Sequence, residues 1–168
     1  GLSFSLLIRI NFLEPYYNVI SSDCYNFLIT NHGIIMIFFF LMPVLIGGFG
    51  NFLIPLLSGL SDLNLPRLNA LSAWLLFPSL LFLLYSIWLG AGLGWTFYPP
   101  LSSVMFNDSK GVDFLMFALH LAGISSLFGS INFICTLYTS FNNIFISRTS
   151  IILWSYLFTS ILLLISLP

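Results

Sequence analysis

No Asp, Glu, Lys or Arg occurs between Asp23 and Asp62, and most of the intervening side chains are Ile, Leu, Phe, Met or Gly. A helix needs about 20 apolar residues to cross a bilayer. The stretch from about Cys24 to Leu57 exceeds that, so as one helix it must tilt, kink or protrude. Pro43 is the natural kink, because proline removes a backbone donor in mid-helix. A turn or two inside this run stands His32, between Asn31 and Gly33. An ionisable group at such a place is costly unless something pairs with it, which makes it a functional-site candidate. Imidazole is also a strong axial ligand for haem iron, and the surrounding aromatics and glycines suit a flat, apolar macrocycle. His32 is therefore expected to bind haem.

Composition supports the membrane setting. The 168 residues are 59% hydrophobic, 18% aromatic and 5% charged, with a mean hydropathy of +1.07, whereas soluble domains carry about 25% charged residues. Four Lys/Arg against five Asp/Glu form no basic patch, so nucleic acid is not an expected partner. Cys24 and Cys135 lie far apart, in neither a metal-binding nor a redox spacing. The chain opens on Gly1 inside an apolar run and ends on Leu167-Pro168 straight out of another. With no basic segment or cleavage site before the first run, a signal peptide is a poor reading. A piece of a longer polytopic protein is expected.

Five spans follow from the pattern: the tail of a helix over 1–10, then helices over about 24–57, 69–89, 112–139 and 151–168. Trp95 and Tyr98 in the loop after the third span fit an aromatic belt at the membrane surface. Loops after odd spans hold Arg9 and Lys110, and those after even spans hold Arg67 and Arg148, so the positive-inside rule does not orient the chain. The acids lean weakly: Glu14, Asp23, Asp108 and Asp113 on one side, Asp62 on the other. No repeat or low-complexity segment is present.

At helical spacing Met36, Phe39, Phe40 and Pro43 share the face of His32 and form an aromatic and thioether wall. The duller alternative is a histidine bonded to a neighbouring helix, with the phenyl rings in lipid or core. His120 lies about as far into the fourth span as His32 does into the second, so a bis-histidine clamp on one haem is open; a polar pocket near the membrane surface is the other reading. Asn51 lies nineteen residues after His32, near the opposite membrane face at about 1.5 Å per residue. Asp62 and Asn69 flank that end, Asn132 falls toward the same side, and Ser125 and Ser126 lie nearer mid-membrane. A carboxylate followed by amides and hydroxyls is what a water-filled proton path requires. Against this, Asp62 reads equally as a solvated loop carboxylate or helix cap, and Ala122, Ser126 and Ser130 as a small-residue packing stripe. Arg9 either reaches a polar haem substituent or snorkels to the interface. Gly47 to Gly50 resembles a nucleotide loop only superficially; close helix packing accounts for it better.

His32-Gly33, Met36-Ile37-Phe38-Phe39, Met42-Pro43, Ile46-Gly47-Gly48-Phe49-Gly50-Asn51, Pro66-Arg67-Leu68-Asn69, Gly94-Trp95-Thr96, Tyr98-Pro99-Pro100 and His120-Leu121-Ala122-Gly123 resemble, in order and in near-matching spacing, subunit 1 of the haem–copper oxidase family in its animal mitochondrial form. The resemblance covers essentially the whole chain. It implies an all-α, polytopic transmembrane helix bundle, of which this chain is the end of helix 1 through most of helix 5 of twelve. It also implies reduction of dioxygen to water with electrons from cytochrome c, coupled to proton pumping, in a multi-subunit complex of the mitochondrial inner membrane.

By resemblance, His32 is one of two axial ligands of the low-spin haem a, and Arg9 bonds that haem's formyl group. Trp95 and Tyr98 lie near its propionates. Asp62, Asn51 and Asn69 match the mouth of a proton route from the matrix side, with Asn132, Ser125 and Ser126 along it. The second ligand of haem a, and those of haem a3 and copper B, match positions outside this chain, so the resemblance favours no role for His120 in ligation. Asn11 stands where many members carry a carboxylate of a surface sodium or calcium site, Phe52 replaces a common tryptophan, and the loop before Trp95 is slightly short. A stand-alone bis-histidine cytochrome and a non-redox proton-coupled transporter are the alternatives.

Overall fold

A computed structural model describes residues 1–13, 20–107, 109–143 and 149–167. Glu14, Asp108 and Arg148, which enter the comparison of loop charges, lie outside the described residues. Among the described residues the fold is all-helical, without strands, as expected. The helices are α1 (Leu2–Asn11), α2 (Ser22–Ser58), α3 (Pro66–Leu89), α4 (Gly111–Asn143) and α5 (Ile151–Ser166). Helices α2, α3 and α4 are long and apolar enough to cross a membrane; α1 and α5 are shorter apolar helices.

Local chemistry explains the boundaries. Helix α3 begins at Pro66, three residues before the expected Asn69. Proline at the first helical position has its φ preset and gives up a donor that would be unpaired anyway. Helix α2 ends at Gly59, whose φ of 65° is a conformation that glycine adopts without a Cβ penalty. Around Pro43, where a kink is expected, the hydrogen-bond pattern changes. The backbone shifts to the wider i→i+5 pattern over Ile35–Leu41 and again over Pro43–Gly50, within one helix from Ser22 to Ser58. Proline lacks an N–H and its ring clashes with the carbonyl one turn back, and a widened turn relieves both.

The chain divides into two compact units, Gly1–Leu41 with Ser79–Leu119, and Met42–Pro78 with His120–Pro168. In the first, Ile34, Leu83, Val112, Leu115 and Ala118 form a buried core with Ala91 and Leu93 from the loop after α3. Ser79 Oγ ties α3 to α4 by donating to the Ala118 carbonyl at 2.6 Å, fully buried. Helix α1 runs back along the start of α2, with Phe4 edge-on to Phe27 and Phe12 edge-on to Tyr25. In the second unit Ile54, Leu63, Phe133, Leu137 and Leu153 form the core, and Ser125 Oγ donates to the Ser72 carbonyl at 2.6 Å.

Close packing accounts for only one of the grouped glycines. A Cβ on Gly50 would stand 2.7 and 2.8 Å from the Phe133 ring, whereas one on Gly47 would meet nothing within 4 Å and one on Gly48 only its own helix. Gly50→Ala is expected to cost about 1–3 kcal/mol through overpacking against a buried ring. A lowered thermal midpoint of the solubilised full-length protein checks this; an unchanged midpoint means that the ring swings aside freely.

Candidate functional site

The residues singled out from the sequence separate cleanly. His32, Arg9, Trp95 and Tyr98 all belong to the first unit; Asn51, Asp62, Asn69, Asn132, Ser125 and Ser126 all belong to the second. His120, the rival histidine, is exposed and falls in the second unit.

Around His32 the geometry specifies a tautomer. Its Nδ1 lies 2.9 Å from the Gly1 carbonyl oxygen. A carbonyl only accepts, so Nδ1 carries the proton and donates. In the neutral ring Nε2 then keeps its lone pair, the state a metal-ligating imidazole needs, with the other nitrogen orienting the ring. Neighbouring Asn31 is fully buried; its Nδ2 donates to the Phe27 carbonyl at 3.0 Å, while its Oδ1 has no protein partner.

The loop after α3 is pinned to the same part of α2. Gly94 N–H donates to Thr30 Oγ1 at 2.8 Å. A Cβ on Gly92 would approach the Phe27 nitrogen to 3.0 Å, and one on Gly33 would lie 3.9 Å from Trp95 Cβ. Trp95 therefore stands against Gly33 of α2, with its side chain exposed. Tyr98 is 74% exposed. Phe97 between them adopts a φ of 51°, strained for a bulky residue.

Arg9 lies exposed in the last turn of α1. It is eight residues along from Gly1, on the order of 12 Å at the helical rise, a placement suited to a peripheral substituent rather than to the imidazole. Phe38 and Phe39 pack against the first core, but Phe40 is 57% exposed.

In the second unit a polar network runs from the loop before α3 into α4. Asp62 is exposed, and its Oδ1 accepts from Leu63 N–H at 2.8 Å. Leu65 N–H donates to Asn132 Oδ1 at 3.1 Å, and Asn64 N–H to Thr136 Oγ1 at 3.1 Å. Thr136 Oγ1 in turn donates to the Asn132 carbonyl at 2.7 Å. Asn69 is half-buried, and its carbonyl accepts from Ser72 Oγ at 2.7 Å. Ser72 is the residue whose carbonyl takes the Ser125 hydroxyl, while Ser126 Oγ bonds back to Ala122 within α4 at 3.0 Å. Asn51 Oδ1 and Asn132 Nδ2 are buried with no protein partner, one an acceptor and the other a donor. Buried amides of this kind are ordinarily satisfied by ordered water.

Sequence reasoning missed Gly1, Thr30, Asn64, Ser72, Thr136 and Thr139. Their contributions come through backbone carbonyls or across long chain separations. Only the Asp-x-Asn spacing of Asp62 and Asn64, a turn-forming pattern, offered a signal. Among the described residues no three His, Cys, Asp or Glu side chains gather to hold a metal ion.

Over residues 1–168 the chain matches the family model described as Cytochrome C and Quinol oxidase polypeptide I. It is similar to cytochrome c oxidase subunit 1 of Eremothecium gossypii, 44% identical over 173 aligned positions covering all of this chain and 32% of that protein. The same protein of Yarrowia lipolytica is 46% identical, again across the whole chain and 32% of the relative. That of the scallop Pecten maximus is 44% identical, across the whole chain and 36% of the relative. The chain thus spans about a third of the length of these curated relatives.

Proposed function

The chain belongs to the cytochrome c and quinol oxidase polypeptide I family, and from that premise we propose that it is part of the catalytic subunit of a cytochrome c oxidase. The whole subunit, with its companions in the mitochondrial inner membrane, reduces dioxygen to water with electrons from cytochrome c and pumps protons. The ligands of haem a3 and copper B, and the second ligand of haem a, belong to the part of the subunit outside this chain.

His32 would hold the iron of haem a through its imidazole. The observation that carries this assignment is the 2.9 Å bond from Nδ1 to the Gly1 carbonyl, which frees Nε2 for iron and holds the ring plane. The haem supplies one-electron transfer when bound. Arg9 would bind its formyl substituent, and Trp95 and Tyr98 would bind its propionates, with the loop that carries Trp95 tied to α2 by the Thr30–Gly94 bond. These side chains bind and orient the group; apolar residues of the first core keep water from it.

The second unit admits protons. Asp62 collects them at an exposed surface, and Asn51, Asn69, Asn132, Ser125 and Ser126 line the way inward. Asn51 Oδ1 and Asn132 Nδ2, buried and without protein partners, are the positions where ordered water would continue the path.

Visible absorption of the purified full-length complex tests the reading: low-spin haem absorption is expected and survives His120→Ala. A complex without haem absorption points to a transporter, and loss of the low-spin band in His120→Ala points to a bis-histidine cytochrome.

A further inference from the structure

We propose that Asn64 is a positioning residue for Asp62, fastening the loop that carries the carboxylate onto α4; the inference rests on the proton-path reading above. Asp62 sits on an exposed turn between α2 and α3, and its own hydrogen bond goes only to the next residue's amide. The three residues that follow are held in different ways. Leu63 is 5% exposed and packs in the second core with Phe133 and Leu137. Asn64 Nδ2 donates to Thr139 Oγ1 at 2.6 Å and to the Cys135 carbonyl at 3.2 Å, while its backbone N–H donates to Thr136 Oγ1. Leu65 N–H ends the set on Asn132 Oδ1.

The acceptors from Asn132 to Thr139 span two turns of α4, so the loop is fixed at both ends of a segment rather than at a point about which it could pivot. The fastening also occupies Asn132 Oδ1, which orients that amide and leaves its Nδ2 as the buried group without a partner. Asp62 and the Asn132 amide thereby share one rigid frame. Proton relay from an exposed carboxylate depends on how narrowly its position is confined. Of the bonds in this frame, the Asn64 side-chain amide is the part that a substitution removes while leaving Leu63 in the core and both backbone bonds possible.

The test uses the assembled full-length oxidase, with turnover and proton uptake followed across pH. In Asn64→Ala, turnover at alkaline pH, where proton delivery limits, is expected to fall about fivefold, the rate equivalent of one ordinary hydrogen bond. The loss shrinks toward acid pH, and haem absorption per protein is unchanged. Thr139→Val, which removes one acceptor and leaves Asn64 in place, gives a smaller loss with the same pH pattern and serves if Asn64→Ala fails to assemble. In an Asp62→Asn background Asn64→Ala adds nothing, because Asn64 acts through the carboxylate. A pH-independent loss, a loss that multiplies that of Asp62→Asn, or no loss in either variant overturns the proposal. Normal proton uptake in Asp62→Asn alone overturns the proton-path reading itself and takes this proposal with it.

Discussion

His32→Ala in the full-length oxidase is expected to abolish the low-spin haem signature and to bring turnover below about a hundredth of the parent value, since even an outer hydrogen-bond partner of a metal ligand is worth about 10–100-fold. The substitution removes the Nε2 lone pair and the Nδ1–H that meets Gly1 at 2.9 Å. Of its neighbours, Arg9 is a permanent cation with no lone pair to give, and Asn31 is fully buried with its amide committed to Phe27. Absorption and paramagnetic resonance spectra of the purified complex check the result. A six-coordinate low-spin signature that persists in His32→Ala would remove the ligand assignment and with it the role given to the first unit.

Asp62→Asn should leave those spectra intact and act on protons instead. Turnover and pumping are expected to fall at least about tenfold, because a positioned proton-transfer group contributes 10²–10⁴-fold in general acid–base steps and amides cannot carry the proton it collects. Asparagine nearly matches aspartate in size, and its Oδ1 still accepts from Leu63 N–H, so the turn and its attachment to α4 survive. Proton uptake measured with a pH-indicating dye on the assembled enzyme separates this from misfolding. Uptake at the parent rate would remove Asp62 from the path and reduce it to a solvated turn residue.

The residues proposed for ligation lie in Gly1–Leu41 with Ser79–Leu119, and those proposed for the proton entrance in Met42–Pro78 with His120–Pro168.

Hydropathy and spacing were enough, by themselves, to establish an all-helical membrane chain and five helices to within a few residues, because apolar length and the placement of proline and glycine are local properties of sequence. They also marked His32 and Asp62, since an imidazole or a carboxylate among so few polar residues has little company. Tertiary structure alone decided which nitrogen of His32 is free, as that depends on a carbonyl thirty-one positions away. It decided that Gly50 rather than Gly47 is the tightly packed glycine. It also set Asn64 and Leu65 against α4 across separations of 67 to 75 residues. Periodicity encodes which face of a helix is apolar; it carries nothing about which backbone group a folded neighbour will bring within hydrogen-bonding distance.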